Sequence, residues 1–194
     1  MTWDLDLTRR LVEAKFGQAQ LELARPCLKS VCDRQDYARY HYQEVNRLVD
    51  QFAEKYLNDK PLLWVLGANT NEQWAFEELM TQLGAHTIAC IQSIHSIPDI
   101  LAHAFYFSLR LNQVTVLDES KINANSVRKL LEQDPKFQDL VRALKQLTTE
   151  GQYKHLRALC NHSKHRSIIQ PLLNEDWTGT RANRHEVRFS SFQY

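Results

Sequence analysis

The sequence has little glycine and proline, only five of each among 194 residues. These residues supply the tight turns between the short strands of sandwiches and barrels, so their scarcity argues against both architectures. Long hydrophobic runs are also lacking, since no stretch reaches the roughly 20 apolar residues that a membrane span requires. We therefore expect a helical protein that does not contact a membrane.

Cysteine pairs and a strong excess of one charge are lacking as well. The four cysteines form no CxxC pair, which is typical of reduced thiols in a cytoplasmic protein. The acidic N-terminus lacks the apolar core of a signal peptide. The formal net charge of +1 gives no global field that would attract nucleic acid. The segment from Glu150 onward is nevertheless basic, with seven Lys or Arg against four Asp or Glu.

Apolar residues recur at helical spacing through most of the chain. The stripe over residues 36–57 is typical of an amphipathic helix, while residues 85–101 are apolar or small on most sides, which favours a central position. Pro26 and Pro98 lack an N–H donor, so we expect the first to end or kink a helix and the second to kink or break one. The predicted fold is mainly α, a helical bundle with a long central kinked helix, its helices lying over residues 5–24, 36–57, 72–111, 127–133, 135–151 and 153–166.

The chain after residue 166 has a different pattern. Residues 186–194 alternate between polar and apolar, which predicts a strand. A strand needs a partner, so either residues 167–173 pair with it in a hairpin or part of a natural sheet is missing. We predict a helical bundle domain over residues 1–166 and a small β-hairpin-like C-terminal extension of the same domain over residues 167–194.

A first polar cluster interrupts the apolar helix, at His95, Asp99 and His103. Their spacing of four places them on one helical face. A buried aspartate needs donors or solvent, and the last helix offers donors, so we expect Asp99 to contact residues 161–166 in a shared buried polar network. The spacing also resembles a metal half-site. Because the outer two lie about 12 Å apart along the axis, a hydrogen-bonded network is favoured, and we expect no metal and no cofactor.

A second polar cluster lies on the last helix. Arg157 and His162 are candidate catalytic residues, because a guanidinium can bind a phosphate while an imidazole moves a proton, which is sufficient for metal-free RNA cleavage by the 2′-hydroxyl. The alternative is structural, since cations stabilise the C-terminal end of a helix. The candidate binding residues of the polar network are His95, Asp99, His103, Asn161, Lys164, His165 and Arg166.

The combination resembles the HEPN-like helical proteins of bacteria. The resemblance is carried by a mostly helical bundle, by the polar helix bearing Asp99, and by the late helix with Arg157 followed by His162. In that family, such an arginine and histidine form a metal-independent ribonuclease site, usually across a dimer. The resemblance therefore implies a cytoplasmic RNase of a toxin–antitoxin, abortive-infection or related defence system, with RNA as its partner and a homodimer as its assembly.

A non-catalytic interpretation stays open beside it. The residue after Arg157 is Ala158, where active members of the family usually carry a polar residue. A terminal strand without a partner can add to the sheet of another protein. The alternative hypothesis is an immunity-like or antitoxin-like protein, or another interaction protein, that binds a partner protein.

Overall fold

The computed structural model describes residues 3–57, 60–63, 65 and 70–190. It is mainly α-helical, as predicted, with a small two-stranded sheet near the C-terminus. A π-helical turn, Ala53–Leu57, continues the second helix, and a 3₁₀ turn, Pro135–Phe137, precedes the fifth. The elements are α1 (Leu5–Phe16), α2 (Gln18–Phe52), α3 (Thr70–Ser108), α4 (Ala124–Leu131), α5 (Gln138–Thr149), α6 (Gly151–His165), β1 (Pro171–Glu175) and β2 (His185–Phe189).

The first helix boundary is made by glycine and not by proline. Gly17 has φ 84° and ψ 169°, and its N–H donates to Glu13 O at 2.8 Å, which ends α1. Helix α2 then continues through Pro26, and α3 continues through Pro98. A proline removes only one backbone hydrogen bond, and the bonds of the flanking turns maintain both helices. Neither an end at Pro26 nor a break at Pro98 is therefore found, while a kink at either proline stays a prediction.

The start of α4 lies earlier than predicted. Asn123 is its N-cap, and the side-chain oxygen of Asn123 accepts from the backbone N–H groups of Asn125 and Ser126. The Ser126 hydroxyl oxygen in turn accepts from the Asn123 N–H at 3.0 Å. This reciprocal capping box satisfies donors that the first helical turn leaves free.

The predicted hairpin is confirmed. β1 and β2 are antiparallel, with Pro171 opposite Phe189 and Glu175 opposite His185. Asp176 follows β1 and holds the connecting loop, because its carboxylate accepts from the Thr178 hydroxyl, the Arg181 N–H and the Thr178 N–H. These hydrogen bonds lower the pKa of Asp176 to about 2. The last part of the predicted strand, residues 191–194, lies outside the described residues.

The chain divides into two compact units, each with its own apolar core. The first contains Met1–Asp36 and Ser93–Arg157, and the second contains Tyr37–Gln92 and Ala158–Tyr194. In the first unit, Val127, Leu131 and Leu144 are among the buried residues. In the second, Leu57, Val65 and Leu83 are. The predicted division at residue 166 stays a prediction.

Candidate functional site

The predicted cluster on α3 belongs to the first unit, and only its histidines are half-buried. The His95 ring stacks on Tyr153, with ring centroids 6.0 Å apart and planes 2° from parallel. The His103 ring lies 6.5 Å from the ring of Phe107. Aromatic packing therefore accounts for a part of the environment of both imidazoles.

Asp99 lies at the surface and not in a buried network. Its Oδ1 accepts from the backbone N–H of Ala124 at 3.0 Å, at the start of α4. The carboxylate thus satisfies a donor that the helix itself leaves free, and a negative charge at this end of a helix is favourable. Asp99 has thus found a donor and stays near solvent, while its contact with residues 161–166 stays a prediction.

The candidate catalytic residues lie on different sides of α6. Arg157 is exposed, whereas His162 is half-buried and its Nε2 lies 3.0 Å from the Ser167 hydroxyl. Five positions along an α-helix correspond to a rotation of about 140° beyond a full turn and a rise of about 7.5 Å. Within one copy of the helix, the guanidinium and the imidazole therefore do not converge on a common point.

A different set of side chains on α6 does share one face. Lys154, Arg157, Asn161, Lys164 and His165 follow one another at intervals of three, four, three and one, and all are exposed. We call this set the basic face of α6. The helix contains no Asp or Glu. Within the part of the chain that the structure describes, no salt bridge involves its lysines or its arginine, nor Arg166, which is exposed just beyond its end.

The second unit contains a cavity that the sequence did not indicate. It has a volume of about 730 Å³ and lies among α2, α3 and the β2 end of the hairpin, with Asp50, Thr87, Arg184 and His185 in its lining. No sequence motif predicts this cavity, because its lining comes from three separate parts of the chain, residues 42–50, 87–90 and 182–189.

A buried carboxylate supports one side of this cavity. Glu175 is only 2% exposed, and its Oε1 accepts from Arg184 Nε at 2.9 Å while its Oε2 accepts from the Leu62 N–H at 2.8 Å. His185 is 11% exposed, and its Nε2 lies 3.7 Å from Glu175 Oε1. Burial lowers the pKa of His185, and the carboxylate of Glu175 opposes that shift only in part. The His185 imidazole therefore binds a proton less readily than an ordinary histidine, although a carboxyl group lies beside it.

A histidine pair links α2 and α3 in the same unit. His41 Nδ1 and His86 Nδ1 lie 2.9 Å apart, and the ring of Tyr40 contacts both imidazoles. Both histidines are half-buried. Burial lowers the pKa of His41, and the charge of a protonated His86 lowers it further. The two residues are 45 positions apart, so no spacing rule could have paired them.

Among the described residues, no three His, Cys, Asp or Glu side chains come together to hold a metal ion. None of the described helices combines the length and the apolar character needed to cross a membrane. Comparison of the chain with protein-family models, with curated proteins and with solved structures gave no match.

Proposed function

We propose that this protein is a HEPN-like RNA-binding protein of a bacterial defence system, and that the basic face of α6 contacts RNA phosphates. One observation carries the proposal: the helix exposes its lysines and its arginine on one face, with no acid in the helix and, within the described residues, no salt bridge to these three side chains. Cations on a protein surface are usually balanced by nearby acidic side chains. A basic helix face that has no acidic side chain in the same helix favours the binding of an anionic partner.

The dimensions of the face suit a short stretch of single strand. Lys154 and Lys164 are ten residues apart, which is about 15 Å along the helix. A stacked strand carries one phosphate per roughly 3.4 Å, so about four phosphates pass along this length. Three or four contacts predict a slope of log K against log salt of about −2 to −3, equivalent to a loss of about 20- to 50-fold in affinity between 50 and 200 mM salt.

The binding proposal is tested by charge reversal on this face. We expect the triple variant Lys154→Glu, Arg157→Glu, Lys164→Glu to lose binding to a short single-stranded RNA in fluorescence anisotropy, and to lose the salt dependence with it. The matched control reverses three exposed cations of other helices, Arg10, Lys15 and Lys145. Equal losses in the two triple variants, or wild-type binding that is indifferent to salt, would contradict the proposal.

RNA cleavage belongs to the same proposal, with Arg157 holding the phosphate and His162 moving the proton. Because these groups lie on different sides of one helix, a productive site takes the arginine from one copy and the histidine from another, as the resemblance implies. We expect Arg157→Ala and His162→Ala each to abolish cleavage. A mixture of the two inactive variants should restore about a quarter of the wild-type activity, because half of the dimers formed are mixed and each contains one intact site.

The control for His162 is Ser167→Ala. This change removes the hydroxyl beside His162 Nε2 but keeps the imidazole, so we expect most of the activity to remain. No cleavage by the wild-type protein, with intact RNA and normal growth after expression, would remove the catalytic part of the proposal while leaving RNA binding to its own test.

The non-catalytic alternative is favoured by the hairpin. Within the described residues, β1 and β2 pair only with each other, so each strand has one edge at which a strand of another protein could add. A stable complex with the product of a neighbouring toxin gene, lost when Leu172, at 46% exposure, is replaced by proline, would support this alternative. A protein that stays monodisperse beside every neighbouring gene product would count against it.

A further inference from the structure

His41 and His86 are positioned as a pair of metal ligands. Their Nδ1 atoms lie 2.9 Å apart, one on α2 and one on α3, with ring centroids 5.2 Å apart. Both rings are half-buried, so the long helices restrict them while solvent retains access. Imidazole nitrogen is a good ligand for Zn²⁺, Cu²⁺ and Ni²⁺. The pair thus offers two ligands of the right chemistry on two separate elements.

The distance between the two nitrogens discriminates among these ions. For metal–nitrogen bonds of about 2.0–2.1 Å, a nitrogen separation of 2.9 Å corresponds to an N–metal–N angle of roughly 90°. That is the angle between neighbouring ligands of a square-planar or tetragonal ion. A tetrahedral ion would need the nitrogens roughly 3.3–3.4 Å apart. The nitrogen separation therefore matches Cu²⁺ or Ni²⁺, provided that the rings turn so that both lone pairs point at the ion, whereas Zn²⁺ also requires the nitrogens to move apart.

Solvent can supply further ligands, because both imidazoles are only half-buried. Glu44 lies three residues after His41, but its Oε2 is held by Arg47 at 2.6 and 2.9 Å. The described residues supply no third His, Cys, Asp or Glu ligand. Water or a small ligand would therefore complete the coordination, as in metal sites that keep open positions.

We infer that His41 and His86 form a two-imidazole site for a divalent transition-metal ion, with Cu²⁺ bound more tightly than Ni²⁺ and Ni²⁺ more tightly than Zn²⁺. In the metal-free pair, one Nδ1–H donates to the other Nδ1. On binding, that proton moves through solvent to Nε2 of the same ring, and each Nδ1 gives its lone pair to the ion. At pH values where both imidazoles are neutral, metal binding therefore releases no net proton.

Paramagnetic broadening of the imidazole signals tests the site in the wild-type protein. We would add Cu²⁺ to untagged, ¹⁵N-labelled protein and follow all eight histidines by long-range proton–nitrogen correlation. The expected result is loss of the His41 and His86 signals at the first equivalent, before any other. Earlier loss of other histidines, or no loss at one equivalent, would overturn the inference.

Affinity measurements on variants provide a second, independent arm. His41→Phe and His86→Phe keep a ring at each position, and each should weaken Cu²⁺ binding at least about tenfold, because one of two ligands is lost. His155→Ala, at an exposed position on α6 outside its basic face, is the control and should bind as the wild type does. Equal affinity in His86→Phe and wild type would show that the two rings share only a hydrogen bond. RNA binding is measured separately, so neither result depends on the other.

Discussion

Asp99 illustrates how an apolar helix accommodates a carboxylate at its surface. The side chain lies on the helix that contains Ala102, which is fully buried, yet its oxygen reaches the backbone of α4 at Ala124. This one carboxylate oxygen satisfies a backbone donor at the start of α4. The bond connects residues that are 25 positions apart, so it contributes to tertiary structure as well as to capping.

We expect Asp99→Ala to lower the free energy of unfolding by about 1 kcal/mol, because it removes an acceptor of a helix N-terminal N–H. Asp99→Asn retains an oxygen acceptor and should lose less than half as much. Urea denaturation followed by circular dichroism measures both. An equal loss in the two variants would assign the effect to charge and not to the hydrogen bond.

We expect the stability of the folded protein to depend on pH through His185. Its pKa is lowered in the folded protein, mainly by burial, so between that value and the ordinary value of 6.5 the unfolded chain binds more protons than the folded one. Stability is therefore present above pH 6.5 and is lost as the pH falls through the folded-state pKa. The melting temperature of the wild type should fall more between pH 7.5 and pH 5 than that of His185→Gln. Parallel curves for the two proteins would contradict this assignment.

The end of α1 depends on the backbone geometry of a glycine and not on a proline. Gly17 combines a positive φ with an extended ψ, a region that only glycine enters readily. Pro26 and Pro98 lie inside long helices, where one lost hydrogen bond is small beside the bonds that remain. Gly17 therefore marks a helix end, whereas Pro26 and Pro98 do not.

Two glycine substitutions test whether the backbone conformation of Gly17 requires glycine. Gly17→Ala should destabilise the protein by about 1–3 kcal/mol, since alanine is strained at this φ and ψ. Gly151→Ala, at the first position of α6, meets no atom within 4 Å and should be neutral or stabilise by up to about 1 kcal/mol. Thermal unfolding of the two variants gives both values, and equal shifts would refute the conformational explanation.

The basic face of α6 is a feature of an element and not of a motif. The sequence spacing of Arg157 and His162 predicts a catalytic pair. In an α-helix, with 3.6 residues per turn, these two residues lie on different sides, and Lys154, Arg157 and Lys164 share a face instead. Helical periodicity alone predicts that these residues share a face. The folded structure shows that their side chains are exposed to solvent.

At the scale of the whole molecule, each compact unit is stabilised by its own apolar core. Leu131 in the first unit and Leu83 in the second are both 0% exposed. Their side chains are surrounded by other apolar residues of the same unit. Truncating either leucine would leave a cavity. Neighbouring side chains could not fill it unless a helix moved.

We expect Leu83→Ala and Leu131→Ala each to lower the free energy of unfolding by about 2–5 kcal/mol. Leu63, which is 70% exposed, provides the matched control, and Leu63→Ala should change it by less than about 0.5 kcal/mol. Denaturant titration of the three variants measures the differences. A buried variant as stable as the control would show that its core is loosely packed.

The sequence by itself determined the helical class, most helix positions and the terminal hairpin, because helical periodicity and strand alternation are local properties of the chain. Only the tertiary structure decided which side chains meet. Asp99 with Ala124, His41 with His86, and Glu175 with Leu62 are each at least 25 residues apart. Such contacts depend on how the helices pack. The sequence pattern around a single charged or aromatic residue does not predict which distant residue it will contact.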